Sequence, residues 1–140
     1  HMALIAATVA NGGVMNEPRL VKSVTTAQGG SRALLSHAGG KRVMDEAVAD
    51  RLESEMIRVV KSGTGRRAAL DNGYVVAGKT GSAEASNDKT IDAHAWFVGY
   101  IVNDNAPYAI CVLVENGGSG GSVAAPLARK TLQKAINLGL

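Results

Sequence analysis

A single cysteine leaves no partner for an internal disulfide. Cys111 lies within the apolar run 108–114 and reads as a small buried residue rather than a reactive thiol. Aromatic residues are scarce, at 4% of the chain, so a core has to be assembled from Val, Leu, Ile and Ala. No stretch of the sequence approaches the ~18 consecutive apolar residues that a membrane span needs, and no secretory leader is visible. Basic residues outnumber acidic ones by only 15 to 12. The pairs Lys41-Arg42 and Arg66-Arg67 stand isolated, and no basic run is interleaved with aromatics, which argues against nucleic-acid binding. His37 has no Cys, His or Asp around it at metal-ligand spacing and reads as a surface residue, so neither a metal nor another cofactor is expected.

What is present is enough for at most one domain: 140 residues, of which 46% are hydrophobic. Residues 2–11 predict a nearly all-apolar helix, with Leu4, Ile5, Thr8 and Val9 near one face and Gly12-Gly13 as its stop. A helix so uniformly apolar needs burial on several sides. Residues 20–27 alternate loosely and predict a strand, turned by Gly29-Gly30 onto a partner over residues 31–37. Asp45 is placed to cap a helix over residues 46–62, whose inner stripe is Val48, Leu52, Met56, Val59 and Val60. Asn72-Gly73 turns into a β-prone apolar run, residues 74–77, that delivers Lys79, Thr80 and Gly81 near its end. Residues 82–92 read as a polar loop. Strands over 93–102 and 108–115, joined by a turn at Asn103-Asp104-Asn105, complete a meander. The glycine-rich stretch 116–122 predicts a flexible connection. The last helix follows, with Pro126 in its first turn and Val123, Leu127, Leu132, Ala135 and Ile136 as its inner stripe. These elements amount to an α+β fold in which an antiparallel sheet, a three-strand meander plus a hairpin, packs with helices.

The chemistry is concentrated in residues 75–84. A lysine beside a strand anchors an anion or simply carries surface charge. Thr80 adds a hydroxyl that can donate to a carboxylate or phosphate oxygen. Gly81, with no side chain, lets a ligand backbone approach the strand closely. Lys-Thr-Gly by itself also fits an ordinary strand with polar residues at its end. Residues 73–80 match the phosphate-loop pattern G-x-x-x-x-G-K-[ST]. That loop needs a strand before its first glycine and a helix after its lysine. Here a polar turn precedes, an apolar strand fills the middle and Gly81 follows, so the N–H groups cannot curl around a phosphate. The nucleotide-binding reading is the remote one.

The ordered series is more specific than any of its parts. It runs from the helix ending in Asn11-Gly12-Gly13, through Glu17-Pro18-Arg19 and Lys61-Ser62-Gly63-Thr64-Gly65, to Ala77-Gly78-Lys79-Thr80-Gly81-Ser82-Ala83-Glu84. Trp96-Phe97-Val98-Gly99-Tyr100, Glu115-Asn116-Gly117-Gly118 and Pro126 to Arg129 complete it. From about Met2 to Ile136 this resembles the C-terminal half of the transpeptidase domain of penicillin-binding proteins, which implies an incomplete transpeptidase-like fold. That family carries two further motifs, Ser-x-x-Lys with the nucleophile and Ser-x-Asn. Ser86-Asn87-Asp88-Lys89 has the first spacing, but it lies in a polar loop after the Lys-Thr-Gly and reads as a chance match. No Ser-x-Asn is present. Residues 1–140 therefore read as a single partial domain lacking the nucleophile and the N-terminal half that would carry it. His1-Met2 reads as a cloning remnant, although Met2 also fits the family's own sequence.

The resemblance implies a parent enzyme on the extracytoplasmic face of the bacterial cell membrane. Its serine attacks a D-alanyl-D-alanine stem peptide and passes the acyl group to an amine, and β-lactams acylate the same serine. The resemblance carries four positions over. Lys79 supplies positive charge, Thr80 binds the terminal carboxylate, Gly81 lets the peptide lie antiparallel along the strand, and the Ser82 N–H is half of the oxyanion hole. Without a nucleophile the chain is expected to be inactive alone. Trp96 is expected in the core, and Glu84 and Glu115 form no convincing carboxylate pair. The alternative class is a non-catalytic module that binds peptides or self-associates. Loss of two strands from the family's sheet would bare the edge over 108–115, and a homodimer through that edge is expected.

Overall fold

The computed structural model describes residues 1–21, 24–26, 30–32, 39–71, 73–84, 87–88 and 90–139. Helix α1 (Met2–Ala10) is stopped by Gly12 and Gly13, whose φ angles of 59° and 89° lie in the left-handed region. Any side chain at Gly13 would strike the Met44 carbonyl. This close approach brings β1 (Val14–Met15) against β4 (Lys41–Arg42), a pairing the sequence pattern did not announce. The Arg42 guanidinium braces it, donating to the Gly12 carbonyl at 2.7 Å. Within the described residues the predicted hairpin is present as β2 (Val24–Thr25) against β3 (Ser31–Arg32). Leu20 and Val21 are exposed. Gly29 and His37 lie outside the described residues.

Helix α2 (Glu46–Ser62) has the predicted length. Asp45 occupies its N-cap position without a side-chain capping bond. The inner stripe is the predicted one at Met56, Val59 and Val60 and departs from it in the first two turns. Ala49 and Val60 are buried and Met56 and Ile57 half-buried, whereas Val48 and Leu52 are 49% and 39% exposed.

The sheet is the meander β5 (Val76–Ala83), β6 (His94–Ile101) and β7 (Ala109–Val114), antiparallel throughout. β5 starts two residues later and ends later than the apolar run suggested. Lys79 lies in the middle of the strand and not at its end, and Ser82 and Ala83 belong to it. Continuous pairing to β6 extends it, from Val76 opposite Ile101 to Ala83 opposite His94. Ladder hydrogen bonds thus override the polar composition that reads as a loop.

Each side of the sheet has its own core. On one side Val76, Ala95, Phe97 and Ile101 pack with Val60 of α2 and with Ala125, Ala128 and Leu132 of α3 (Ala125–Leu138). On the other, Ala77 and Tyr100 pack against Ala6 and Val9 of α1. The largest fully buried side chains are Tyr100, Phe97 and Leu132, and around them Ala49, Ala68, Ala77, Ala95, Ala124, Ala125 and Ala128 have no exposed surface. The core depends on alanine more than the composition suggests, because elements that meet through alanine bring their backbones close. Leu127, predicted inside, is exposed, and Ala128 takes its place. Cys111 is half-buried on β7, and burial pushes its thiol pKa up, which disfavours the thiolate.

The glycine-rich stretch before α3 is not a loose tether. Gly120 to Ala124 form a π turn leading directly into the helix, and Gly120 and Ala124 are buried. A Cβ at Gly120 would collide with the carbonyls of Gly81 and Trp96. The backbone there lies directly on the sheet.

Candidate functional site

The phase of the β5–β6 ladder decides what Lys79, Thr80, Gly81 and Ser82 present. The Val102 N–H donates to the Val75 carbonyl at 2.9 Å, and these two residues extend the register by one pair. In an antiparallel ladder, hydrogen-bonded and non-bonded pairs alternate. Lys79 and Gly81 therefore point their backbone groups at β6, and Thr80 and Ser82 point theirs outward. β5 is an outer strand of its sheet, so the Ser82 N–H faces away from the ladder. The Thr80 carbonyl also faces outward and accepts from the Lys79 ammonium at 2.7 Å.

Side chains alternate as well. Lys79, Gly81 and Ala83 share the α1 side with Trp96 and Val98. A cleft of about 350 Å³ there is lined by Met2, Lys79, Ala83, Trp96 and Val98 among others. Trp96, expected in the core, is half-buried and forms part of this wall. Its Cβ comes so close to Gly81 that a side chain at that glycine would meet it at 3.3 Å.

Thr80 and Ser82 share the α3 side and open into a second cleft of about 400 Å³. Its lining is hydroxyl-rich, with Thr64, Thr80, Ser82, Ser119 and Ser122, and Arg66 and Arg67 also line it. Thr80 is only 9% exposed, and its hydroxyl shares a 2.6 Å hydrogen bond with that of Thr64. The Ser82 hydroxyl accepts from the Gly120 N–H at 3.3 Å. The π turn, the loop after α2 and strand β5 thus meet at one place.

The four carried-over positions lie together on one strand: Lys79 lines the first cleft, and Thr80, Gly81 and Ser82 line both. Glu84 and Glu115 are exposed. Ser86 and Lys89 lie outside the described residues. Among the described residues no group of His, Cys, Asp and Glu is placed to hold a metal ion, and no helix is long and apolar enough to cross a membrane. Sequence reasoning missed Arg66, Arg67, Ser119 and Ser122, and assigned Thr64 no task. The signal was the Gly63-Thr64-Gly65 step, a tight turn after a helix. Gly63 and Gly65 both donate N–H to the Val59 carbonyl, at 3.0 and 3.1 Å, and fold the following residues toward β5.

Known proteins resemble this chain over nearly its whole length. The family described as the penicillin binding protein transpeptidase domain matches residues 1–133. The chain is 32% identical to the peptidoglycan D,D-transpeptidase PbpA of Mycolicibacterium smegmatis over 143 residues, covering 98% of this chain and 29% of that protein. It superposes on the D,D-transpeptidase domain of a peptidoglycan glycosyltransferase from Eggerthella lenta with a TM-score of 0.83 and 31% identity, over 97% of this chain and 31% of that one. It also matches the imipenem acyl-enzyme complex of penicillin-binding protein A from Mycobacterium tuberculosis, with a TM-score of 0.79 and 33% identity, over 96% of this chain and 29% of that one. The chain thus spans less than a third of the length of each of these relatives.

Proposed function

The chain belongs to the penicillin-binding protein transpeptidase domain family, and from that premise we propose that it is the Lys-Thr-Gly portion of a peptidoglycan D,D-transpeptidase. In this reading a serine from another part of the domain attacks the stem-peptide carbonyl, on the extracytoplasmic side of the membrane where the cell wall is built. The Ser82 N–H stabilises the developing oxyanion. A preorganised donor of this kind is worth roughly 3 kcal/mol where a nucleophile faces it. Thr80 receives the terminal carboxylate, Gly81 leaves room for the peptide backbone along the strand, and Lys79 adds positive charge from the α1 side. A β-lactam, whose acyl-enzyme is the subject of a related structure, occupies the same place. The observation that carries the reading is the outward-facing N–H of Ser82 beside the hydroxyl-lined cleft.

The sequence holds no Ser-x-x-Lys apart from residues 86–89. Incubation of the chain with a penicillin, followed by intact-mass measurement, is expected to give no adduct. A stoichiometric acyl adduct would place a reactive serine within these 140 residues, with Ser86 the first suspect, and would overturn the division of labour proposed here. A self-associating role draws its support from β7, the other outer strand of the sheet.

A further inference from the structure

We propose that Arg66 and Arg67 select for a carboxylate in the cleft beside Thr80 and Ser82. The proposal rests on the peptide-binding reading above and adds to it the source of positive charge on that side of the strand. Lys79 is not that source. Its side chain lies on the α1 side, and its ammonium is held by the Thr80 carbonyl at 2.7 Å. The remaining lining of the cleft is neutral, hydroxyls and glycine backbone. A carboxylate that leaves water for such a place needs hydrogen bonds and a compensating charge.

Arg66 and Arg67 meet that need. Both line the cleft, and no carboxylate pairs with either among the described residues. The nearby Asp71 is engaged by Arg129 at 2.6 Å. Arg67 donates one bond, to the Ser122 carbonyl across the cleft at 3.4 Å. A guanidinium has five N–H donors, so most of its capacity stays open. Arg66 makes no side-chain hydrogen bond or ion pair among the described residues. Both sit in a single 3-10 turn, Arg66–Ala68, tied by the Ala68 N–H to the Gly65 carbonyl at 2.8 Å. Their backbone is therefore set before any ligand arrives. The ligand class is a molecule with a free carboxylate at one end, whether a peptide C-terminus or the carboxylate of a β-lactam.

The test is a titration of the isotope-labelled chain with N-acetyl-D-alanyl-D-alanine and with the same dipeptide capped as its C-terminal amide. The backbone amide resonances of Thr64, Thr80, Ser82 and Gly121 serve as reporters. The free acid is expected to shift them and the capped form to bind about tenfold more weakly. Arg66→Gln and Arg67→Gln should each bring the two affinities together, whereas Arg66→Lys and Arg67→Lys should preserve part of the preference. Arg66→Gln breaks no existing bond, so its result is not confused with misfolding. Equal binding of acid and amide, or unchanged selectivity in both glutamine variants, overturns the assignment and leaves the peptide reading standing. If the dipeptide fails while acetate moves the same resonances in an arginine-dependent way, the anion site stands and the peptide reading falls. No response to either ligand overturns the proposal.

Discussion

Tyr100 shows how one side chain joins two elements. Its ring is buried between the sheet and α1, and its hydroxyl donates to Glu53 Oε2 on α2 at 3.0 Å. Burial, and then the charge and hydrogen bond of Glu53, push the phenol pKa far above its ordinary value near 10. The unfolded chain therefore ionises Tyr100 first as pH rises, and the folded chain holds the extra proton. Stability from this group is fully present below about pH 10 and is lost above it. Tyr100→Phe should flatten that alkaline decline in urea unfolding followed by circular dichroism. It should also cost roughly 1.5–3 kcal/mol at neutral pH, since it leaves the Glu53 carboxylate without its partner. At this scale the sequence was partly legible. Lys79, Thr80 and Gly81 could be picked out because they follow an apolar run in sequence, and Ser82 only through the resemblance of the ordered series to a known family. The pairing of Tyr100 with Glu53, 47 residues apart, and of Thr64 with Thr80 depends on folding, which no local pattern encodes.

Elements were legible where periodicity was long and misread where a neighbour decided the outcome. α2 and the order of the meander follow from pattern alone. The inward face of its first two turns does not, because alanine at 49 scores below valine at 48 on hydrophobicity yet is the buried one. The end of β5 was missed because its polar residues are kept in strand form by β6. The stretch 116–122 looked loose because glycine serves both flexibility and close contact, and composition does not distinguish them. Gly120→Ala tests the second use. A methyl group there meets two backbone carbonyls that cannot rotate aside, so a loss of about 1–3 kcal/mol is expected. Thermal unfolding would measure it, and an unchanged midpoint would show that the π turn is free to lift off the sheet.

For the molecule as a whole, the sheet has two outer strands with different fates. α2 packs against β5, while Ala109, Cys111 and Leu113 of β7 turn their backbone groups away from β6. Such an edge is a template for another strand. Light scattering at high concentration is expected to give a mass near twice 14.4 kDa, and a clean monomer would count against strand addition between copies. The phase of β5 has a further consequence. Thr80 and Ser82 turn their hydroxyls toward α3 and their N–H groups away from β6, while Lys79 turns its side chain toward the α1 side and bonds its backbone to β6. Slipping the strand by one residue would exchange both assignments at once.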